Sequence, residues 1–241
     1  MNFLAHSIIA TRFLTPVEPL SAYVLGTALP DLLPLAADRV RLRPGQLAEG
    51  TEFGAALGAG ISAHLAADAA FHKTAAFAKV QAEVSGLLAG AGFEGVRVRH
   101  FFVAHVLTEL VLDAVLLRAD PALADRFYDA FTVADFDLAT RRTEEITGRA
   151  LPNLPFVLAR FAEVQYLRHY TEDNGVATGL SNLCRRASQD TFVDENFSRL
   201  VGVVKQAAER MPKFVPALFG ETVAGIVHRD GELGFYLNAA R

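Results

Sequence analysis

Apolar residues recur along this chain at three- and four-residue spacings almost from end to end, while strict alternation and Asn-Gly hairpin signals are nearly absent. The pattern predicts helices throughout. A short helix is expected over residues 3–13. A second starts at Thr15-Pro16 and runs to about Leu29, with Pro30 and Pro34 bracketing Asp31 in a turn. Residues 38–50 read as a loop. A long helix is expected from about Thr51 to Val80, with a continuation to Leu88, and Gly90, Gly92 and Gly95 mark the next turn. Another long apolar helix covers 97–118. Asp120-Pro121 opens a further helix by a cap-then-proline pattern, and one from Asp135 to Ile146 is stopped at Gly148. After Pro152 and Pro155, helices near 156–170, 173–188, 194–210 and 213–228 complete an all-α bundle of roughly nine to eleven helices in a single domain. The Ala- and Gly-rich stretch at 54–70 sits inside a helical pattern and suggests close helix packing.

Two of these helices depart from ordinary amphipathicity. In FFVAHVLTELVLDAVLL, residues 101–117, the polar residues are His105, Thr108, Glu109 and Asp113. Positions 105, 109 and 113 stack along one stripe of a helix. A solvated face would carry Lys, Arg, Glu and Gln; this one carries His, Glu and Asp, and places like charges at i and i+4. In EFGAALGAGISAHLAADAAFH, residues 52–72, the ionisable residues beyond the first turn are His64, Asp68 and His72, again at i, i+4 and i+8. Burying an unpaired carboxylate costs several kcal/mol, and neither segment contains a Lys or Arg. Two facing stripes would make a cage of imidazoles and carboxylates, the ligand set of Zn²⁺, Mn²⁺ or Fe²⁺. A second carboxylate on a stripe would instead orient a ligating histidine. A structural polar network is the plainer alternative; two such stripes, each the main polar feature of an apolar helix, favour a metal site.

Two further residues fit this chemistry. Asp31 in GTALPDLLP is either a helix-terminal or capping residue or a metal-bridging carboxylate. His6 in NFLAHSIIA has apolar neighbours, so its helix packs inward; alone it would be a core histidine, and beside the other residues it is an extra ligand. The expected core ligands are His6, Asp31, His64 and Asp68. His72, His105, Glu109 and Asp113 are ligands of a second ion or orienting groups, and Asp68 or Glu109 would accept a proton from a metal-bound water.

Composition narrows the class. At 241 residues and 51% hydrophobic content, the chain can bury a large core. Its one cysteine, Cys184, excludes an internal disulfide and a cysteine-based zinc cluster, which makes a reducing cytoplasm the simplest compartment. A net charge of −4 and scattered basic residues give no support for nucleic-acid binding. No secretory leader is expected. Segments 52–72 and 101–117 are membrane-like in hydropathy but interrupted by His, Asp or Glu, so buried helices are expected rather than transmembrane ones.

The start NFLAH, the turn GTALPD and the stretch HLAADAAFH (His64 to His72) together resemble the acyl carrier protein phosphodiesterases, within the broader HD-like, all-helical metal-dependent phosphohydrolases. The corresponding family motifs read G-N-x-x-x-D and H-R-x-I-D-x-F-T-D, and the pair Glu109 and Asp113 is similar to a family carboxylate pair. YLRHYTEDNGVATGLSNLCRRAS, residues 166–188, is similar to a family aromatic-Leu-x-Arg-Tyr stretch and the N-x-x-x-R helix after it. The resemblance covers most of the chain, thinly between motifs, and NFLAH is its most specific element. It departs at Thr27, where the family has Asn, at Leu65, where it has Arg, and at His72, where it has Asp. The resemblance implies hydrolysis of a phosphoester, with release of 4′-phosphopantetheine from holo acyl carrier protein, using one or two ions of Mn, Fe or Zn. It implies phosphate contacts from Arg168 and Arg185, and a basic docking face for an acidic carrier drawn from Arg141, Arg142, Arg149, Arg168, Arg185 and Arg186. His72 and His105 also resemble the HxxxD and HxxxE pairs of zinc-dependent phospholipase C. A phospholipase C-like or small-molecule phosphoesterase, and a non-catalytic scaffold with a degraded site, are the alternatives. His100 and His169 are unassigned, and His228 is expected at the surface.

Overall fold

The computed structural model describes residues 2–37, 40–43, 51–93, 99–187 and 191–230. Most of the expected 38–50 loop, the Gly95 turn and the side chain of His228 lie outside the residues described. Among the described residues all regular structure is helical: α1 (Phe3–Ile8), a π-helical turn (Ile9–Phe13), α2 (Leu20–Ala36), α3 (Glu52–Phe71), α4 (Ala75–Gly90), α5 (His100–Ala119), α6 (Ala122–Thr132), α7 (Phe136–Thr147), α8 (Leu154–Val164), a 3₁₀ segment (Tyr166–Thr171), α9 (Asp173–Arg186), α10 (Asp194–Arg210), a short 3₁₀ turn (Met211–Lys213) and α11 (Val215–Asp230). The all-α expectation holds. One continuous hydrophobic cluster runs from Phe3 to Ile226.

Several boundaries differ from the expected ones, each for a local reason. The chain does not turn at Asp31; α2 runs through both Pro30 and Pro34 to Ala36. Proline four residues after proline removes two N–H donors from the same side of the helix, and that side faces outward: Pro30 is partly exposed and Pro34 exposed. The expected helical start at Thr15-Pro16 moves to Leu20, whose N–H is capped by the Glu18 carboxylate at 2.8 Å. The long helix expected over 51–80 breaks after Phe71, because the Thr74 hydroxyl accepts the Phe77 N–H at 3.0 Å and starts a new helix. Thr51 caps α3 in the same way through Gly54. The helix expected over 156–170 ends at Val164, where Gln165 takes a left-handed conformation (φ 48°). Gly148 terminates α7 with φ 64°, as its sequence position predicts.

The contact between α2 and α3 organises the bundle. A Cβ built on Gly60 would fall on the Tyr23 carbonyl oxygen, and one built on Gly26 would fall on the Leu57 carbonyl oxygen. The two backbones therefore touch across glycine in both directions, closer than any side chain allows. On the other side, Phe3 locks α1 into an aromatic cluster, with ring centroids 5.0 Å from Phe161, 6.1 Å from Tyr166 and 6.4 Å from Phe127. Helix α5 is long and apolar enough to cross a membrane by composition; here most of it is buried against other helices.

Gly60→Ala is expected to lower stability by about 1–3 kcal/mol or more through overpacking against fixed backbone. Gly86→Ala, on an exposed part of α4 with open space around it, should be neutral or stabilising by up to about 1 kcal/mol. Urea denaturation of both variants checks the pair; equal effects would refute the close-approach account.

Candidate metal centre

Four helices deliver the ionisable residues to one place. α3 presents His64 and Asp68 along one stripe, with His72 at its C-terminal cap. α5 faces it with His105 and Glu109, α1 inserts His6, and α2 brings Asp31. The two stripes do meet. His72 Nε2 lies 2.9 Å from Glu109 Oε1, and His105 Nε2 lies 3.1 Å from the same oxygen. His72 and His105 stack with centroids 4.6 Å apart.

His64 is held at one end of its ring by α2 and has Asp31, one turn further along, near the other. Its Nδ1 is 2.7 Å from the Thr27 carbonyl oxygen, so Nδ1–H donates there and Nε2 carries the free lone pair. That Nε2 lies 3.9 Å from Asp31 Oδ1. Thr27 and Asp31 are one helical turn apart, so the continuation of α2 past Pro30 is what sets Asp31 beside His64. The Thr27 contact is made by the main chain, and the Thr27 hydroxyl bonds Val24 instead. Thr rather than the Asn of the motif it resembles therefore leaves this contact intact. The His6 ring lies on the His64 ring at 3.6 Å with 18° between planes, and His6 Nε2 is 3.8 Å from Asp68 Oδ1.

Two groups of three emerge. His6, His64 and Asp68 form one, and His72, His105 and Glu109 the other; in each, one donor atom per residue lies within 4.8 Å of the others. Ligand atoms around one ion at bond lengths of 2.0–2.2 Å are separated by about 2.8–4.4 Å. The distances of 2.9, 3.1 and 3.8 Å fit that range. Asp68 joins the groups, with Oδ1 toward His6 and Oδ2 3.4 Å from His72 Nδ1. A carboxylate that is a ligand on one side and an orienting partner of a ligating histidine on the other is a recurrent device of metal sites.

Charge in the site is uneven. Burial pulls the His64 pKa down to about 4 against the pull of its carbonyl partner, so its ring is neutral at pH 7. Burial also disfavours charge on His72, but Asp68 and Glu109 on either side outweigh it and raise its pKa to about 9. Those histidine contacts in turn offset burial and hold Asp68 near 2 and Glu109 well below the usual range. Asp31 moves the opposite way: burial and the carboxylates of Glu109, Asp68 and Asp113 push its pKa up, and water at its one-third exposed side chain screens part of that push.

Not every expected ligand joins. Asp113 is fully buried, and both its oxygens accept backbone N–H groups, from Ala5 at 2.9 Å and Leu4 at 3.0 Å. It stands outside both groups, as does Asp31. The arginines expected at substrate are engaged elsewhere. Arg168 is exposed and pairs with Asp125 at 2.7 Å and Gln165 at 2.6 Å, and Arg185 donates to Asn182 at 2.8 Å. Leu65, where the motif resembled has Arg, packs against the core. His100 and His169 are exposed on the surface. Sequence reading missed the main-chain role of Thr27, which leaves no side-chain signal. No family model, no curated protein and no solved structure matches this chain.

His64 and His72 move the stability of the metal-free protein in opposite directions with pH. His64, with its pKa lowered from 6.5 to about 4, costs stability as pH falls from 6.5 toward 4, because the unfolded chain takes up the proton first. His72, raised from 6.5 to about 9, contributes stability below 6.5 that is lost as pH rises through 9. Asp31 and Asp113, with pKa values raised by burial, add a decline of their own up to about pH 8, so the window from 8 to 9 reports His72. Thermal melts across pH, with His72→Gln weakening the decline in that window, test the assignment; an unchanged decline there would remove it.

Proposed function

We propose that the protein is a metal-dependent phosphoester hydrolase with two adjacent ion sites. The observation that carries this reading is the pair of His/carboxylate groups joined through Asp68. The donor set is nitrogen and oxygen only, which suits Zn²⁺, Mn²⁺ or Fe²⁺. His6, His64 and Asp68 would hold one ion and His72, His105 and Glu109 the other. Bound divalent ions lower the pKa of a coordinated water and neutralise charge on phosphoryl oxygens.

The residues divide the work by their surroundings. Asp68 and Glu109 are held as carboxylates, which suits them to ligation. Asp31 is the carboxyl whose setting favours a proton when no ion is bound, and it sits beside the first group with a third of its surface in water. Cations bound beside it would favour its ionised form, and an ionised Asp31 could then accept a proton from the attacking water. That moves the proton-transfer role from Asp68 or Glu109 to Asp31. A phosphodiester on an acyl carrier protein is the substrate that the sequence resemblance supports. The outward engagement of Arg168 and Arg185 in other pairs gives it no added support. A purely structural network is the competing reading, favoured by one observation: a protonated His72 between Asp68 and Glu109 balances charge without an ion.

Metal analysis of the native protein after supplementation separates the two. Roughly two equivalents of Mn, Fe or Zn and hydrolysis of bis-p-nitrophenyl phosphate are expected. Asp68→Ala should lose metal and activity together, whereas Asp31→Asn should keep the metal and lose activity about 10²–10⁴-fold. Metal uptake at pH 7 should release protons, that of His72 among them, and tighten with rising pH. No bound metal under any condition would sink the hydrolase reading. Release of phosphopantetheine from a purified holo carrier protein then tests the substrate.

A further inference from the structure

Helix α1 is too short to hold itself. It spans six residues, and Asn2 at its N-cap makes no side-chain capping bond. Isolated helices of that length do not form in water. The amides of Leu4 and Ala5, which an ordinary cap would satisfy, are instead taken by Asp113 from α5, more than one hundred residues away in sequence. The carboxylate meets both donors at once, one on each oxygen, at the positive end of the helix. His6 is the next residue after Ala5, in the same turn. Its ring position over His64 is therefore tied to the point where Asp113 grips the backbone.

We infer that Asp113 is a positioning residue for the first ion site: a cap supplied across the core that fixes the rotation and depth of α1 and so aims His6. Four residues before it on the same helix, Glu109 belongs to the second group. α5 thus contributes two members, His105 and Glu109, directly to one group and places a member of the other at second hand. Asp113 cannot be exchanged for its amide without penalty. Asparagine offers one acceptor and one donor to two N–H groups, so one bond becomes a donor–donor clash. The ion-binding half of this inference rests on the two-site reading above; the placement of His6 does not.

The test uses Asp113→Asn in the full-length protein, with Asp113→Glu as a partner variant that keeps the charge but lengthens the arm. Far-UV circular dichroism first establishes that each is folded. In the metal-free proteins, histidine ring NMR reads the placement directly. In a folded Asp113→Asn variant the His6 ring signals should shift and the His6–His64 contacts vanish, while His72 and His105 keep theirs. Should Asp113→Asn not fold, the same readout is taken on Asp113→Glu. Zn²⁺ titration should then show affinity at one site weakened about 10–100-fold, the range for orienting groups, and the other unchanged. A folded variant with His6–His64 contacts like those of the native protein overturns the inference. If the native protein binds no Zn²⁺ while His6 still moves in the variant, the positioning role stands and the hydrolase reading falls. Equal weakening of both Zn²⁺ sites would also overturn it, because a general loss of structure would explain that result.

Discussion

The close approach of α2 and α3 is the constraint on which the rest depends. Glycine at 26 and at 60 lets two backbones meet where any side chain would hold them apart. Only at that separation does the Thr27 carbonyl reach His64 Nδ1 at 2.7 Å. That bond selects the tautomer, fixes the ring and leaves Nε2 turned toward Asp31. His64 in turn is the surface on which His6 stacks. Removing the close contact would leave His64 in place, but it would unhook the bond that orients its ring and leaves Nε2 available.

The four acidic residues of the site show how surroundings assign roles to one functional group. Asp68 and Glu109 face histidines and are held ionised. Asp31 is pushed toward its protonated form by desolvation, with a smaller push from the charges of Glu109, Asp68 and Asp113. Asp113 is the most buried. Its desolvation, which raises its pKa to about 7, is opposed by two amide hydrogen bonds. A carboxylate with both oxygens so engaged is a structural group, whatever its sequence spacing from Glu109 suggests.

That spacing marks the limit of what the chain alone reveals. The His64–Asp68–His72 and His105–Glu109 stripes were legible because a helix repeats every 3.6 residues and because polar residues are rare on those faces. His6 was legible only by association with them. Asp113 fell on the same stripe and so read as a ligand, because periodicity gives the face of a residue but not what lies opposite. What lies opposite is the start of α1, a contact between segments far apart in sequence. The run of α2 through two prolines was hidden for a different reason. Proline weakens a helix locally, and tertiary packing of the buried face, from Tyr23 to Leu33, overrode it. The break at Thr74 turned on a single hydroxyl inside an Ala-rich stretch that reads as helix on both sides.

The charge distribution links the two readings of the site more closely than a choice between them implies. Asp68 and Glu109 stand on either side of His72 and together require a cation between them. Without an ion, the proton on His72 is that cation, and burial is offset by two short contacts. With an ion, the same carboxylates serve as ligands or orienting groups, and the proton has to leave so that the ring can present a lone pair. Proton and metal are thus alternative answers to one electrostatic requirement, set by two carboxylates in a helix interface that contains no lysine or arginine on its facing stripes. The first group has no such fallback: His64 is neutral at pH 7 and already oriented by its backbone partner. If both groups take ions, His64 would meet one already oriented and neutral, whereas the second group would exchange a proton for its ion, so occupancy of the second should follow pH more steeply than that of the first.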